Sequence, residues 1–263
     1  MIGYIALDKT FSNNFIKFKV DKTFNIKDYP SVSRFEFCQT PMDLMRIYDL
    51  DSCRVAEVEI YGASVYLGKG IYGTDELFVV REVDLDTIVS LIYDCVKKDM
   101  NLLKERYNCS ITDTPFSTAS LDKNDGAVWA TGQSNISANS GYNGLSCTYR
   151  NKSIAASTGD GSKTIALDSQ SVAVATGLLS IAKVNKPHSI AIAVGESSIA
   201  EATTGCLAVA GQDCSAMGAV GSWLILTEAS DNMIDCRAVY VDGKIVKANV
   251  PYTLEDGKVV KLS

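Results

Sequence analysis

The sequence predicts a mainly β protein: a small N-terminal α+β domain, a parallel β-solenoid and a C-terminal β-hairpin cap. Three observations favour this fold class. A nine-residue pattern recurs through the middle of the chain, a long amphipathic helix is predicted before it, and Asp-Gly turns separate strand-like runs after it. The predicted boundaries are 1–108 for the N-terminal domain, 109–116 for a linker, 117–222 for the solenoid and 223–263 for the cap.

Composition limits the function classes that the chain can serve. Its 263 residues are 46% hydrophobic, which is enough to bury a core, and its formal net charge is −6. An acidic balance argues against direct nucleic-acid binding, because phosphate binders present a basic face. The sequence contains no run of 18 apolar residues, so it predicts no membrane span. Its eight cysteines include no C-x-x-C pair, which is typical of a protein in a reducing compartment. We therefore expect a cytoplasmic protein.

The N-terminal region alternates short strands with helices. A short helix is expected in "TPMDLMRIY", with Thr40 as its N-cap and Pro41 at its first position. A longer helix is expected at about 85–107, with its apolar residues mostly on one stripe. The segment "YLGKGIYG" at 66–73 reads as a hairpin tip. The strand candidates are 1–7, 14–20, 54–61 and 76–83.

The nine-residue pattern is S-[IV]-A-x-A-x-G-x-x, of which "SIAIAVGES" at 189–197 is a clear copy. Ten consecutive units from residue 117 keep its phase. The seventh position is glycine in alternate units, so the structural repeat is an 18-residue coil of two nonapeptides, and five or six coils are expected. We expect these glycines to adopt a positive φ at one edge of the coil. They are Gly141, Gly159, Gly177 and Gly195.

The turns of this repeat do not predict a metal site. Calcium-binding nonapeptides carry G-G-x-G-x-D turns, whereas "STGDGS" at 157–162 has one aspartate and its neighbours do not repeat it. We expect neither a metal nor a cofactor.

Side-chain alternation gives the two strands of each coil different faces. In the glycine-bearing units, positions two and four are apolar; in the others they include Lys163, Lys183 and Glu201. Two interpretations are open. Either isoleucine and valine fill the solenoid, or alanine and serine fill it and the aliphatic side chains lie outside, where they would need a partner. Both make an apolar interaction or oligomer face plausible, with candidates Ile136, Ile154, Val172, Val174, Ile190 and Ile192.

After Cys206 the period shortens to eight residues and the composition changes. Strand-like runs are then separated by Asp242-Gly243 and Asp256-Gly257, which predict two hairpins. Such hairpins would cap the open edge of the solenoid.

The segment "RFEFCQTPMDLMRIY" at 34–48 and the later "SCRVAEVE" resemble an uncharacterised family of phage and prophage proteins. That family pairs a G-F-H-F-C-x-x-P-x-D-x-x-x-Y motif with Ala/Ser/Thr/Gly nonapeptides and a β-rich tail. The resemblance implies a phage or prophage origin and the same domain plan, without an established activity. Arg34 replaces the usual glycine of the motif, and Glu36 replaces the usual histidine.

The N-terminal motif holds the candidate chemical site. An ADP-ribosyltransferase-like site could use Arg34 or Arg54 to clamp phosphate, Tyr48 to stack on a ring, and a glutamate to stabilise positive charge. The same residues could equally form a solvated strand face and part of a core. The only histidine, His188, lies in a repeat turn, so no Ser-His-Asp triad is predicted. The candidates at this site are Arg34, Glu36, Cys38, Tyr48, Arg54, Glu57 and Glu59.

We expect a protein that is not an enzyme and acts by binding. Its partner would be a host or phage protein, most concretely a host defence or nucleic-acid enzyme that it inhibits, and an acidic surface suits that role. Self-association into a homo-oligomer is also expected. A virion or fibre component and an ADP-ribosyltransferase-like enzyme are the alternatives.

Overall fold

The structure is a computed structural model that describes residues 1–48, 53–84, 87–88, 91–92, 94–95, 109–230 and 233–262. The chain forms two compact units, Met1–Cys95 and Val96–Ser263. Half of the residues are in strands and 6% are helical, so the predicted mainly β class is confirmed. The predicted boundary at 108 falls among residues 96–108, which lie outside the described part.

The first unit contains a seven-stranded antiparallel sheet in the order β4-β9-β6-β1-β5-β8-β7. The predicted strands at 1–7, 54–61 and 76–83 are confirmed as β1, β6 and β9. A separate two-stranded ribbon joins β2 and β3. The strands are β1 (Ile2–Leu7), β2 (Ser12–Asn13), β3 (Ile16–Lys17), β4 (Lys22–Asn25), β5 (Phe35–Cys38), β6 (Arg54–Ile60), β7 (Ser64–Gly68), β8 (Ile71–Thr74) and β9 (Glu76–Val83).

The predicted strand at 14–20 is wrong in extent. Asn14 and Phe15 both adopt positive φ values, of 48° and 66°, so they form the turn of the β2–β3 ribbon instead of extending a strand. The 66–73 segment is the β7–β8 hairpin, whose tip holds Gly68, Lys69 and Gly70 at positive φ.

Aromatic side chains fill the core on one side of this sheet. The Phe18 ring lies 4.7 Å from the Phe24 ring and 6.1 Å from the Phe35 ring, measured between centroids. Phe37 and Leu77 are also buried in this unit. Packing of this kind fixes the sheet that carries the N-terminal motif.

Both predicted helices are found among the described residues, the first with its capping residue and the second with buried apolar side chains. Helix α1 (Pro41–Ile47) begins after Thr40, whose Oγ1 accepts a hydrogen bond from the Asp43 amide at 3.1 Å, as predicted. The described residues 87–88, 91–92 and 94–95 are helical, and Ile88 and Ile92 are buried. The rest of the predicted 85–107 helix lies outside the described residues.

The second unit is a parallel β-solenoid of about seven coils, one or two more than expected. Alternate strands stack into two sheets, each strand pairing with the one that follows it by a full coil. The strands are β10 (Cys109–Thr112), β11 (Thr118–Leu121), β12 (Ala127–Ala130), β13 (Ile136–Asn139), β14 (Leu145–Thr148), β15 (Ile154–Ser157), β16 (Lys163–Ala166), β17 (Val172–Ala175), β18 (Ile181–Val184), β19 (Ile190–Ala193), β20 (Ile199–Ala202), β21 (Leu207–Ala210), β22 (Ser215–Gly218), β23 (Trp223–Ser230), β24 (Met233–Tyr240), β25 (Tyr252–Glu255) and β26 (Lys258–Lys261).

The predicted linker at 109–116 belongs in part to the solenoid. Strand β10 lies within it and pairs in parallel with β12, with Cys109 opposite Ala127. This 18-residue offset continues the phase of the repeat. The sequence pattern missed it because "CSITDTPF" lacks the Ser-Ile-Ala consensus.

Small side chains fill the interior of the solenoid. The third and fifth positions are fully buried through the later coils, as at Ala173, Ala175, Ala191 and Ala193. From β15 to β21 the second and fourth positions point outward and stay at least partly exposed, whereas those of β12 and β14 are buried. Of the two interpretations, the one with alanine and serine inside and the aliphatic side chains outside is therefore correct.

The serine at position one connects successive coils through both of its hydrogen-bonding functions. The Ser180 hydroxyl accepts the Ser162 amide at 3.2 Å and donates to the Gly159 carbonyl at 3.3 Å. The same pattern recurs at Ser162, Ser171, Ser189 and Ser198. Each bridge satisfies a buried amide at the corner where the chain enters a strand.

The expectation that the position-seven glycines need a positive φ is wrong. The positive φ values fall two residues later, at Asn143, Leu179 and Ser197 among others. The glycines are required by close approach: a Cβ on Gly177 would lie 2.2 Å from the Gly159 carbonyl oxygen of the preceding coil. Stacked backbones therefore exclude any side chain at this corner.

Two antiparallel hairpins end the solenoid, as predicted for a cap. Strand β23 continues one sheet and pairs with β24, while β25 and β26 extend the other sheet beyond β22. The Asp256-Gly257 hairpin turn is confirmed. Asp242-Gly243 does not join two strands; the Asp242 carboxylate instead accepts the amides of residues 244–246 in a loop.

We predict that Gly177→Ala lowers the free energy of unfolding by about 2–3 kcal/mol, because the new methyl group would meet a backbone carbonyl that cannot move alone. Gly205→Ala is the matched control: Gly205 has a φ of +75° but its nearest neighbour would be 3.4 Å from a Cβ. It should cost only the left-handed penalty of about 1 kcal/mol. Equal losses in urea unfolding would contradict the close-approach explanation.

Candidate functional site

One outward face of the solenoid is continuously apolar. We define the aliphatic face as the outward side chains of β13, β15, β17, β19 and β21. All six predicted interaction residues lie on it, and Ile136 and Ile154 are 41% and 42% exposed. Its members are Ile136, Ala138, Ile154, Ala156, Val172, Val174, Ile190, Ile192, Leu207 and Val209.

Strand register arranges these side chains in two rows. Ile154, Val172 and Ile190 face one another along one row, and Ala156, Val174 and Ile192 along the other. Because parallel strands repeat at about 4.8 Å, neighbours in a row are in contact distance. None of the ten side chains is ionisable.

Uncharged side chains continue this surface into the C-terminal hairpin. Trp223 follows Leu207 in the first row, is 49% exposed, and lies opposite Tyr240 with 5.4 Å between ring centroids. The register also places Ile234 on this side of β24, opposite Ala229. The bulkiest exposed side chains of the surface are therefore at its C-terminal end.

The other outward face is partly charged, as the sequence predicts. Lys183 and Glu201 are neighbours across β18 and β20, with Nζ and Oε2 at 3.3 Å and about one seventh of each side chain exposed. Lys163 of β16 lies on the same face. Only the aliphatic face thus offers a surface without formal charge along its strands.

Arg54, Glu57 and Glu59 of the N-terminal motif each have a local partner. The Arg54 guanidinium pairs with Glu82 and lies 4.5 Å from the centre of the Phe11 ring. Arg81 binds Glu57 at 2.8 Å, and the Tyr61 hydroxyl donates to Glu59 at 2.7 Å. Pairing with Arg54 holds the pKa of Glu82 below its ordinary value.

Cys38, Tyr48 and Glu36 are close enough to influence one another. Burial, together with the nearby negative charges of Asp43 and Glu36, raises the pKa of the Cys38 thiol to about 12. Burial also raises the pKa of Tyr48 to about 12, with Cys38 and Glu36 contributing. A thiol that stays protonated is a poor nucleophile, so this cluster fits a packed structural site.

Arg34 lies apart from those ion pairs. Its side chain packs over Gly73 of β8, where an added Cβ would be 2.7 Å from the Arg34 Cδ. It also lines a narrow recess together with Glu36, Ile5 and Phe18. Arg34 and Glu36 therefore share one recess, but the seven motif residues as a set do not converge on one cleft.

The sequence missed a groove of about 510 Å³ at the C-terminal end of the solenoid. Asp213, Glu228 and Glu255 line it, but both Glu228 oxygens already accept the amides of Asp256 and Gly257 at 2.9 Å. Segments more than 40 residues apart form this groove, so no local sequence signal marks it. No cluster of three metal-ligating side chains occurs within the described ranges.

In comparisons with known proteins, no family model, no curated protein and no solved structure matches the chain. The described helices include none that is both long and apolar enough to cross a membrane. None of the eight cysteines forms a disulfide bond.

The raised pKa of Cys38 predicts a pH effect on stability. Between its ordinary pKa of 9.0 and about 12, the unfolded state releases a proton that the folded state keeps, so stability falls as pH rises. One such group contributes up to about 1.4 kcal/mol per pH unit. Urea unfolding at pH 8–11 should therefore show a shallower decline for Cys38→Ala. The exposed Cys236→Ala should keep the native slope, and equal slopes for all three proteins would contradict the assignment.

Proposed function

We propose that the protein is a non-enzymatic binding protein whose solenoid docks on a protein through the aliphatic face. The observation that carries this proposal is the pair of uncharged rows on β13, β15, β17, β19 and β21, with Ile136 and Ile154 more than 40% exposed. An exposed apolar surface of this length costs solvation free energy unless a partner covers it. Its regular spacing comes from the repeat and recurs on the five coils that carry these strands.

The chemistry of the face favours a protein partner. A nucleic acid would require basic side chains, which the two rows lack, and the net charge of the chain is −6. The core of a protein–protein interface is depleted in charge and rich in apolar contacts. Sheet-to-sheet packing would then exclude water from both surfaces.

We propose the cytoplasm of a bacterial host as the place of action, with the chain encoded by a phage or prophage. The resemblance of residues 34–48 to a phage family supports that origin. The target would be a host defence or nucleic-acid enzyme, and the net charge of −6 would let the surface beside the aliphatic face meet a basic substrate groove. Local pairing of Arg54, Glu57 and Glu59 supports binding over transferase chemistry.

Site-specific photo-crosslinking in cells tests the docking face. A diazirine amino acid at Val174, on the aliphatic face, should give discrete adducts of higher mass. The control position is Ile181, which is similarly half-buried but lies on the charged face next to Lys183. Adducts from both positions alike, or from Ile181 alone, would contradict the proposal.

A further inference from the structure

We propose that the groove at the C-terminal end of the solenoid binds an aliphatic organic cation, that is, an ammonium or guanidinium group on a hydrocarbon stem. A lysine or arginine side chain of a partner protein carries such a group, and so does a free polyamine. None of the ten side chains of the aliphatic face lines the groove. The proposal therefore goes beyond the docking function and does not depend on it.

The groove forms at a corner of the solenoid, beside the part of β23 that extends past its pairing with β21. Two hydroxyls tie its walls to the coils: Thr253 Oγ1 donates to the Cys214 carbonyl at 3.0 Å, and Thr227 Oγ1 donates to the Ala210 carbonyl at 3.0 Å. Its volume of about 510 Å³ is typical of small-ligand sites. The lining positions are 197, 199, 212–215, 227–229, 251, 253–255 and 262.

The charged side chains that line the groove are all acidic, namely Asp213, Glu228 and Glu255. The two amides that bind Glu228 are neutral donors, so they fix its carboxylate in place and leave its negative charge uncompensated. Among the described residues, the carboxylates of Asp213 and Glu255 have no hydrogen-bond or ion-pair partner. Lys258 lies opposite Glu255 across β25 and β26 but does not line the groove. The groove therefore attracts positive charge.

A buried hydroxyl without a protein partner points to a polar ligand in the groove. Ser215 lines the groove and is only 5% exposed, although its register with Ile199 places it at an outward position of β22. Its Oγ makes no hydrogen bond to any part of the chain that the structure describes. A buried hydroxyl that stays unpaired costs free energy, and an ammonium or guanidinium group in the groove would supply a donor for it.

The rest of the lining suits a hydrocarbon stem. Ile199 is half-buried, Leu262 is 38% exposed, and Pro251 adds further apolar surface. Methylene chains lie along such surface while their charged ends reach polar groups. A metal ion has no stem, and the described ranges contain no group of three side chains that could hold one. An organic cation therefore fits the groove better than a metal ion.

Isothermal titration of the full chain tests the proposal with two probes, spermidine and the peptide acetyl-Gly-Lys-Gly-Lys-Gly-amide. At least one should bind with a Kd below about 1 mM, which two charge-assisted hydrogen bonds are enough to supply. Asp213→Asn, Glu255→Gln and Ser215→Ala should each raise that Kd by about fivefold. Because the Ser215 hydroxyl has no protein partner, Ser215→Ala should leave the urea midpoint unchanged, which separates a ligand role from a structural one.

Asp122→Asn is the matched control, because it removes the same charge from an exposed carboxylate next to β11, at the opposite end of the solenoid. It should bind like wild type. Tighter binding of the peptide would indicate a partner's side chain and tighter binding of spermidine a free polyamine, and both results support the proposal.

Kd values above about 1 mM for both probes would overturn the proposal. So would a Ser215→Ala variant that binds like wild type, or an equal loss of affinity in Asp122→Asn and Asp213→Asn. The Val174 photo-crosslinks report on the aliphatic face alone, so failure of the groove and failure of the docking face are distinguishable.

Discussion

The solenoid depends on one repeated hydrogen-bonding bridge, made by the buried serine at the first position of the nonapeptides from Ser162 to Ser198. Ser180 accepts an amide from the coil before it and donates to the Gly159 carbonyl. That carbonyl is also the atom that approaches Gly177, where no Cβ can fit. Serine thus donates a hydrogen bond to this carbonyl, and glycine leaves the space that the carbonyl needs. Together the two residues set the spacing and register of successive coils.

This constraint explains why the aliphatic side chains lie outside. Tightly stacked corners leave a narrow interior that alanine, serine and threonine fill, as at Ala173, Ala182 and Ala191, which are fully buried. Valine enters the interior at Val184 and Val128, which are fully buried, but most isoleucines and valines occupy the outward positions, where they retain the β-branched packing that strands favour. The apolar docking surface is consequently a by-product of the same geometry that builds the core.

The periodicity predicted most of the solenoid because each nonapeptide repeats a local pattern. It could not decide which strand face is inside, since alternation alone makes the two faces equivalent and only the corner geometry separates them. The glycine argument failed for a similar reason: Gly177 is excluded from carrying a side chain by a residue 18 positions earlier. In the N-terminal unit, the Arg54–Glu82 pair joins residues 28 positions apart, so a sequence pattern that suggested a candidate site could not show that the charges already have partners.

The most direct test of the account is the free energy of unfolding of Ser180→Ala and Ser180→Cys. Cys206 and Cys214 already occupy the same corner position and donate to the carbonyls of Lys186 and Gly195 at 2.9 Å. We therefore expect Ser180→Ala to lose about 1–3 kcal/mol through an unsatisfied buried amide and carbonyl, and Ser180→Cys to lose clearly less. A neutral Ser180→Ala, or a cysteine variant as unstable as the alanine variant, would contradict the claim that this bridge holds the coils together.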